Sequence, residues 1–195
     1  MTLSTKEKKK LIAEKMGEIL TILGLDITNA SLAKTPDRIA HMYVEEIFSG
    51  LDPEKFPKLT FQEESIPDEL ILIKNISFVS FCEHHFVPIV GKAHIAYFPK
   101  KRLLGLSKIP QLVRYYAQKP QLQERLTGEI ATSLASLLET EDVAVVLQAI
   151  HFCVLARSVE DMTAEMETHV LSGRFEKDPL LRSEFFSRLP ACKRS

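Results

Sequence analysis

Along residues 6–23 the apolar side chains fall at Leu11, Ile12, Met16, Ile19, Leu20 and Leu23. This three-and-four spacing predicts a helix with one apolar face, and Gly24 supplies a stop. A second helix is predicted from Thr35, its cap, through Pro36 at the first helical position to Gly50, with Ile39, Met42, Tyr43 and Ile47 inward. Residues 51–68 contain three prolines and several charges. They form the one candidate boundary, separating a helical N-terminal segment with linker (1–68) from a main body (69–195). From residue 70 the period changes. LILIKNISFVS (70–80) and AHIAYF (93–98) predict strands, with Gly91 in the turn between them. Residues 107–118 and 120–138 read as helices that meet near Pro120. The valine-rich run VAVVLQAIHFCVLA (143–156) predicts a strand covered on both faces, and 164–171 a further strand. Asp178-Pro179 opens a last helix with Leu180, Leu181, Phe185 and Phe186 inward. The order αα, ββ, αα, ββ, α predicts an α+β fold in which helices pack on an antiparallel sheet.

Composition narrows the function classes. The chain has 195 residues, 45% hydrophobic and 26% charged, enough to bury a core without staples. A net charge of −1 speaks against a generic nucleic-acid binder, although a local basic pocket stays open. No apolar run reaches the roughly 18 residues of a membrane helix. The start MTLSTKEKKKLIAEKM lacks the apolar core of a secretory signal. Three cysteines speak against a disulfide framework and for a reducing compartment, so a cytoplasmic location is expected.

Candidate chemistry concentrates in Cys82-Glu83-His84-His85 and His151-Phe152-Cys153. Cys82 and His85, with two residues between them, can reach one ion from a tight turn. On a strand, His151 and Cys153 would share a face, continued by Leu155 and Arg157. Cys82, His85 and Cys153 make a three-ligand set that suits zinc and leaves a fourth position for water. His84 and His151 would serve beside it as acid–base groups. The competing reading is core packing of a buried cysteine, with Cys-x-x-His a coincidence. His41 and His94 read as ordinary surface or core histidines, His169 stays open, and Cys192 has no evident partner. In Gly105-Leu106-Ser107-Lys108, Ser107 would cap the next helix and Lys108 would add charge for an anion, or both are simple capping features. Glu124 could accept two hydrogen bonds from a guanine edge, or it and Arg125 are solvated helix charges.

Taken together, CEHH (82–85), GLSK (105–108), QERLT (123–127) and HFCVLAR (151–157) resemble GTP cyclohydrolase I. TPDRIAHMYVEEIFSGLD (35–52) resembles that family's helical N-terminal segment, and GRFEKDPLLRSEFF (173–186) its C-terminal end. The resemblance implies the tunnelling fold, an antiparallel sheet with helices on one face. It implies a homodecamer with active sites between subunits, and conversion of GTP and water to dihydroneopterin triphosphate and formate, the first step of folate and pteridine synthesis. Zn2+ would sit on Cys82, His85 and Cys153. His84 and His151 would be catalytic. Gln123 and Glu124 would bind the guanine, and Ser107, Lys108 and Arg157 the ribose and triphosphate. GTP and further copies of the chain are the expected partners, with no nucleic acid or membrane.

Three features depart from the family pattern. An arginine usual three residues past the lysine is Gln111 here, with Arg114 one turn on. Arg-Gly is Arg157-Ser158, and Glu160, Glu165 and Glu167 make the following stretch acidic. These departures raise two alternatives. One is a paralogue acting on another guanine or pterin substrate; the other is a catalytically silent subunit that binds zinc or nucleotide.

Overall fold

Ser4 and Glu7 close a capping box at the start of α1 (Thr5–Ile22). The Glu7 N–H donates to Ser4 Oγ, and the Ser4 N–H donates to the Glu7 carboxylate. In this computed structural model, residues 3–63, 68–157 and 159–190 are described. Helix α2 spans Thr35–His41, shorter than expected. Lys34 holds the cap position with no side-chain bond, and Thr35 is the first helical residue. The chain then widens to a π-helix over Met42–Ile47 and tightens to a 3-10 turn over Ser49–Leu51. The reason lies at Gly50, whose N–H donates to Gln118 O at 2.8 Å. A Cβ there would stand 2.2 Å from Tyr115 O, so only glycine allows this approach.

The remaining elements are β1 (Phe61–Gln62), β2 (Ile71–Cys82), β3 (Pro88–Tyr97), β4 (Leu103–Leu104), α3 (Lys108–Ala117), β5 (Pro120–Gln121), α4 (Gln123–Leu138), β6 (Val143–His151), α5 (Phe152–Leu155), β7 (Met166–Leu171), α6 (Arg174–Lys177) and α7 (Pro179–Ser187). The main sheet has the order β5-β2-β3-β6-β7 and is antiparallel apart from the two-residue β5–β2 contact; β1 and β4 pair separately. This is the expected α+β class. Gly91 is not in a turn but inside β3, opposite Phe78 and Ala149. A Cβ on it would meet Gln148 O at 2.3 Å and Ala149 Cβ at 2.6 Å, so glycine serves strand packing there.

Alternation along the strands divides the core. Ala93, Ile95, Tyr97, Val143, Val145 and Leu147 face Leu112, Leu126, Ile130, Leu134 and Leu138 of α3 and α4. Each such buried aliphatic side chain contributes roughly 1.5–3 kcal/mol, so this layer dominates stability. Ala96, Ala144 and Val146 point the other way, where Phe175 and Phe185 close one end of the sheet. Asp178 caps α7 by accepting from the Leu180 and Leu181 N–H groups, as expected. Leu180, expected inward, is instead 82% exposed, because Leu181 and Phe185, four residues apart, form the inner stripe. Among the described residues no helix is long and apolar enough to cross a membrane.

His94 is fully buried on β3. Its Nδ1 accepts from the Asn75 N–H at 3.3 Å, at a bulge where Asn75 takes φ 61. Among the described residues no partner meets hydrogen-bond geometry at Nε2, although the Gln148 side chain lies nearby. Burial pushes the His94 pKa below the ordinary 6.5; Gln148 and Glu167 oppose this, and Lys74 and Lys92 reinforce it. The unfolded chain therefore takes up a proton that the folded chain refuses. Stability from this group is complete above about pH 6.5 and declines as pH falls below it, until the depressed folded pKa is reached. The urea midpoint of the wild type should drop more steeply between about pH 7 and pH 5 than that of His94→Gln. Equal slopes would refute this.

Candidate active site

Strand β2 ends on Cys82 and the chain turns at once. The Cys82 carbonyl accepts from the N–H groups of His85 at 3.4 Å and Phe86 at 2.8 Å, and the Cys82 N–H donates to Val87 O at 2.9 Å. Phe86 adopts φ 54, a costly conformation for a bulky side chain. Aromatic packing compensates, with ring centroids 5.0 Å from Phe48 and 6.2 Å from Tyr43. A second tie runs to α4. The Glu83 N–H donates to Gln121 O, and the Glu83 carboxylate pairs with Arg125, which also donates to Pro120 O and Gln121 Oε1. The N-terminal segment and the start of α4 thus both fix the turn that carries His84 and His85.

The second cluster departs from expectation. Strand β6 stops at His151, and Cys153 lies in the single helical turn α5, so strand alternation does not place it. The ladder runs out here. His151 is opposite Ile89, and the preceding Pro88 has no N–H to offer. Residues beyond His151 satisfy their own backbone instead, as in the bond from the Ala156 N–H to Phe152 O. The turn still brings Cys153 to the first cluster: Cys82, His85 and Cys153 each offer a ligand atom, all within 4.8 Å of one another. His84 Nδ1 and His85 Nδ1 lie 3.7 Å and 3.9 Å from Cys82 Sγ. Arg157 Nη1 reaches His85 Nε2 at 3.3 Å.

The electrostatics fit a cation. Burial pushes the Cys153 thiol up, and the neighbouring Cys82 adds to this. A dication between two sulfurs and an imidazole would reverse that penalty, and the donor set is one that zinc favours. His151 is half-buried and its pKa is pushed down by burial, with the Glu124 carboxylate opposing. Glu124 is exposed in the first turn of α4 and makes no hydrogen bond or ion pair among the described residues, so both its oxygens are available. Gln123 beside it is buried and accepts from His151 Nε2 at 2.7 Å.

Other residues lie elsewhere. Ser107 precedes α3 in a helical conformation and makes no capping bond, contrary to expectation. Lys108 begins α3, whose far end reaches the cluster's neighbourhood through the bond from Ser80 Oγ to Ala117 O. The nine-residue rise between them is about 14 Å. Within one chain no hydrogen bond or ion pair among the described residues joins Ser107 or Lys108 to the Cys82 cluster. Gln111 and Arg114 are exposed on α3. His169 packs edge-on against Phe186 at 5.6 Å, away from the site, and His41 lies 3.5 Å from Glu46 at the surface. Ser158 and Cys192 lie outside the described residues.

Residues 12–190 match the family model described as GTP cyclohydrolase I. The chain belongs to the GTP cyclohydrolase I family. It is 51% identical over 183 residues to GTP cyclohydrolase 1 of Shewanella sp. (strain W3-18-1), covering 93% of this chain and 86% of that one. GTP cyclohydrolase 1 of Photobacterium profundum is 51% identical over 184 residues, covering 94% and 85%. The Vibrio parahaemolyticus enzyme of that name is 50% identical over 187 residues, covering 95% and 86%. Among solved structures, the apo archaeosine synthase QueF-Like aligns with 55% of this chain and 95% of its own, at 18% identity and a TM-score of 0.46. Membership of the GTP cyclohydrolase I family covers the N-terminal helices, the sheet and both clusters within one match.

Proposed function

We propose that this chain hydrolyses GTP at guanine C8, opens the imidazole ring, releases formate and forms 7,8-dihydroneopterin 3'-triphosphate. The observation that carries this is the convergence of Cys82, His85 and Cys153, with His84 against Cys82 and the Glu124 carboxylate acting on His151, in a chain of the GTP cyclohydrolase I family. A zinc ion held by Cys82, His85 and Cys153 would supply Lewis-acid activation of the attacking water. The chain's own residues do the rest. The Glu124 carboxylate accepts from the guanine N1–H and 2-amino group and sets the ring's orientation. His151, held largely neutral by burial, is suited to take a proton, and the exposed His84 to give one to the departing ring nitrogen. Arg157, beside His85, extends cationic charge from the cluster toward the phosphates.

Ser107 and Lys108 are read as the triphosphate half: they stand at the start of α3, about 14 Å along the helix from Ala117, which accepts from Ser80 near the cluster. Family membership supports a site that pairs the cluster of one copy with the Ser107-Lys108 segment of another, in a cytoplasmic homodecamer. Lys108→Ala and Cys82→Ala should each be nearly inactive. Mixed after mild dissociation, they should recover about a quarter of wild-type activity, because half the chains offer each intact half. No recovery in mixed oligomers would place the whole site in one chain.

Gln111 occupies the position three residues past Lys108. A charge-assisted bond to phosphate contributes about 1.5–3 kcal/mol, so Gln111→Arg should lower the KM for GTP by roughly tenfold or more. An unchanged KM would remove Gln111 from the triphosphate site. Formate release from GTP, compared with GDP, GMP and guanosine, tests the substrate: GTP should be turned over fastest, and a preference for guanosine would point to a different substrate.

A further inference from the structure

Gln123 has neither end of its side-chain amide free. The two Nε2 hydrogens serve three acceptors, one of them shared: Leu147 O at 3.1 Å, Met166 O at 3.0 Å and Thr168 Oγ1 at 3.1 Å. Backbone carbonyls only accept, so the nitrogen end is fixed by two neighbouring strands and the amide cannot be flipped. Thr127 adds a second constraint. Its hydroxyl donates to Gln123 O at 2.7 Å, so the Thr168 hydroxyl, 2.7 Å from Thr127 Oγ1, donates to Thr127 and offers its lone pairs to Gln123. Both Gln123 and Thr127 are about 1% exposed, and a buried network of this kind holds one arrangement only while every member is satisfied.

What remains is Oε1, 2.7 Å from His151 Nε2. An amide oxygen carries no proton, so the imidazole is the donor and its proton sits on Nε2. A neutral imidazole has one N–H, which leaves the lone pair on Nδ1. Nδ1 has no hydrogen-bond partner among the described residues. We infer that Gln123 is a positioning residue: it acts through His151, holding the ring by its Nε2–H so that the Nδ1 edge is the one presented to substrate. The inference rests on the proposed role of His151 and replaces the expectation that Gln123 contacts the guanine.

Two measurements test it. Histidine-selective 15N labelling of the wild-type protein, with His151→Asn used to assign the resonances, should show His151 Nε2 as the protonated nitrogen and Nδ1 as the unprotonated one. A proton on Nδ1, or an even mixture of tautomers, would overturn the inference. The spectrum requires no turnover, so a protein that makes nothing from GTP still tests it. The second measurement is a kinetic cycle with Gln123→Met, which keeps the volume and removes the acceptor. kcat should fall by at least about tenfold, with the full effect of His151→Asn as the ceiling and KM within about threefold. In the His151→Asn background the same change should have little further effect. A raised KM at unchanged kcat would assign Gln123 to the guanine instead, and equal losses in both backgrounds would show that it does not act through His151.

Discussion

The Cys153→Ser variant is expected to lose its bound metal and to release no measurable formate from GTP, while keeping its fold. Cys153 sits in α5 at the margin of the core, half-buried, and its sulfur is one of three ligand atoms within 4.8 Å. Serine is close in size, so little packing is lost. It is a far poorer ligand than a thiolate, and the remaining Cys82 and His85 cannot hold a dication firmly. Loss of a mere supporting partner at a metal site costs about 10–100-fold, and loss of a ligand should exceed that. Metal content per chain and formate release check it together. A variant that keeps full metal and full activity would remove Cys153 from the site. Chelation of the wild type should reproduce the variant, and added zinc should reverse the chelation but not the substitution.

Glu124→Gln should lower kcat/KM for GTP by at least about a hundredfold, the loss of one or more charge-assisted hydrogen bonds. The amide keeps one acceptor and sets an NH2 donor against a donor of the guanine edge. The effect should depend on the substrate's own edge. The wild type should prefer GTP strongly over the inosine analogue, which lacks the 2-amino group, and the variant should lose much of that preference. Equal losses on both substrates would mean that Glu124 does not read the 2-amino group.

Periodicity made much of the fold legible. The two-residue alternation in the second half of β2 and the helical spacing of α1 and α4 follow from which residues are apolar. Two local features resisted. The run from Val143 to Ala156 is apolar throughout, and such a run reads alike as buried strand or buried helical turn. The change at His151 is set by β3, whose ladder ends near Pro88, a fact about a partner strand. The π-helix at Met42–Ile47 likewise depends on Gly50 meeting α3.

At the site, residue types and spacing pointed to Cys82, His85 and Cys153, which the fold brings together although Cys153 arrives by a different route. Supporting residues were harder to read. Phe86 at positive φ and the Arg125–Glu83 pair hold the turn, but neither has a composition that announces it. Gln123 stands next to Glu124 in sequence and is its opposite in exposure, because the helix turns about 100° between them.

The most direct test of the account is product formation. Zinc-replete protein is incubated with GTP, and the product is oxidised, dephosphorylated and read by neopterin fluorescence against a chelated control. The account predicts neopterin that chelator abolishes and zinc restores. No neopterin from zinc-loaded, assembled protein would contradict it.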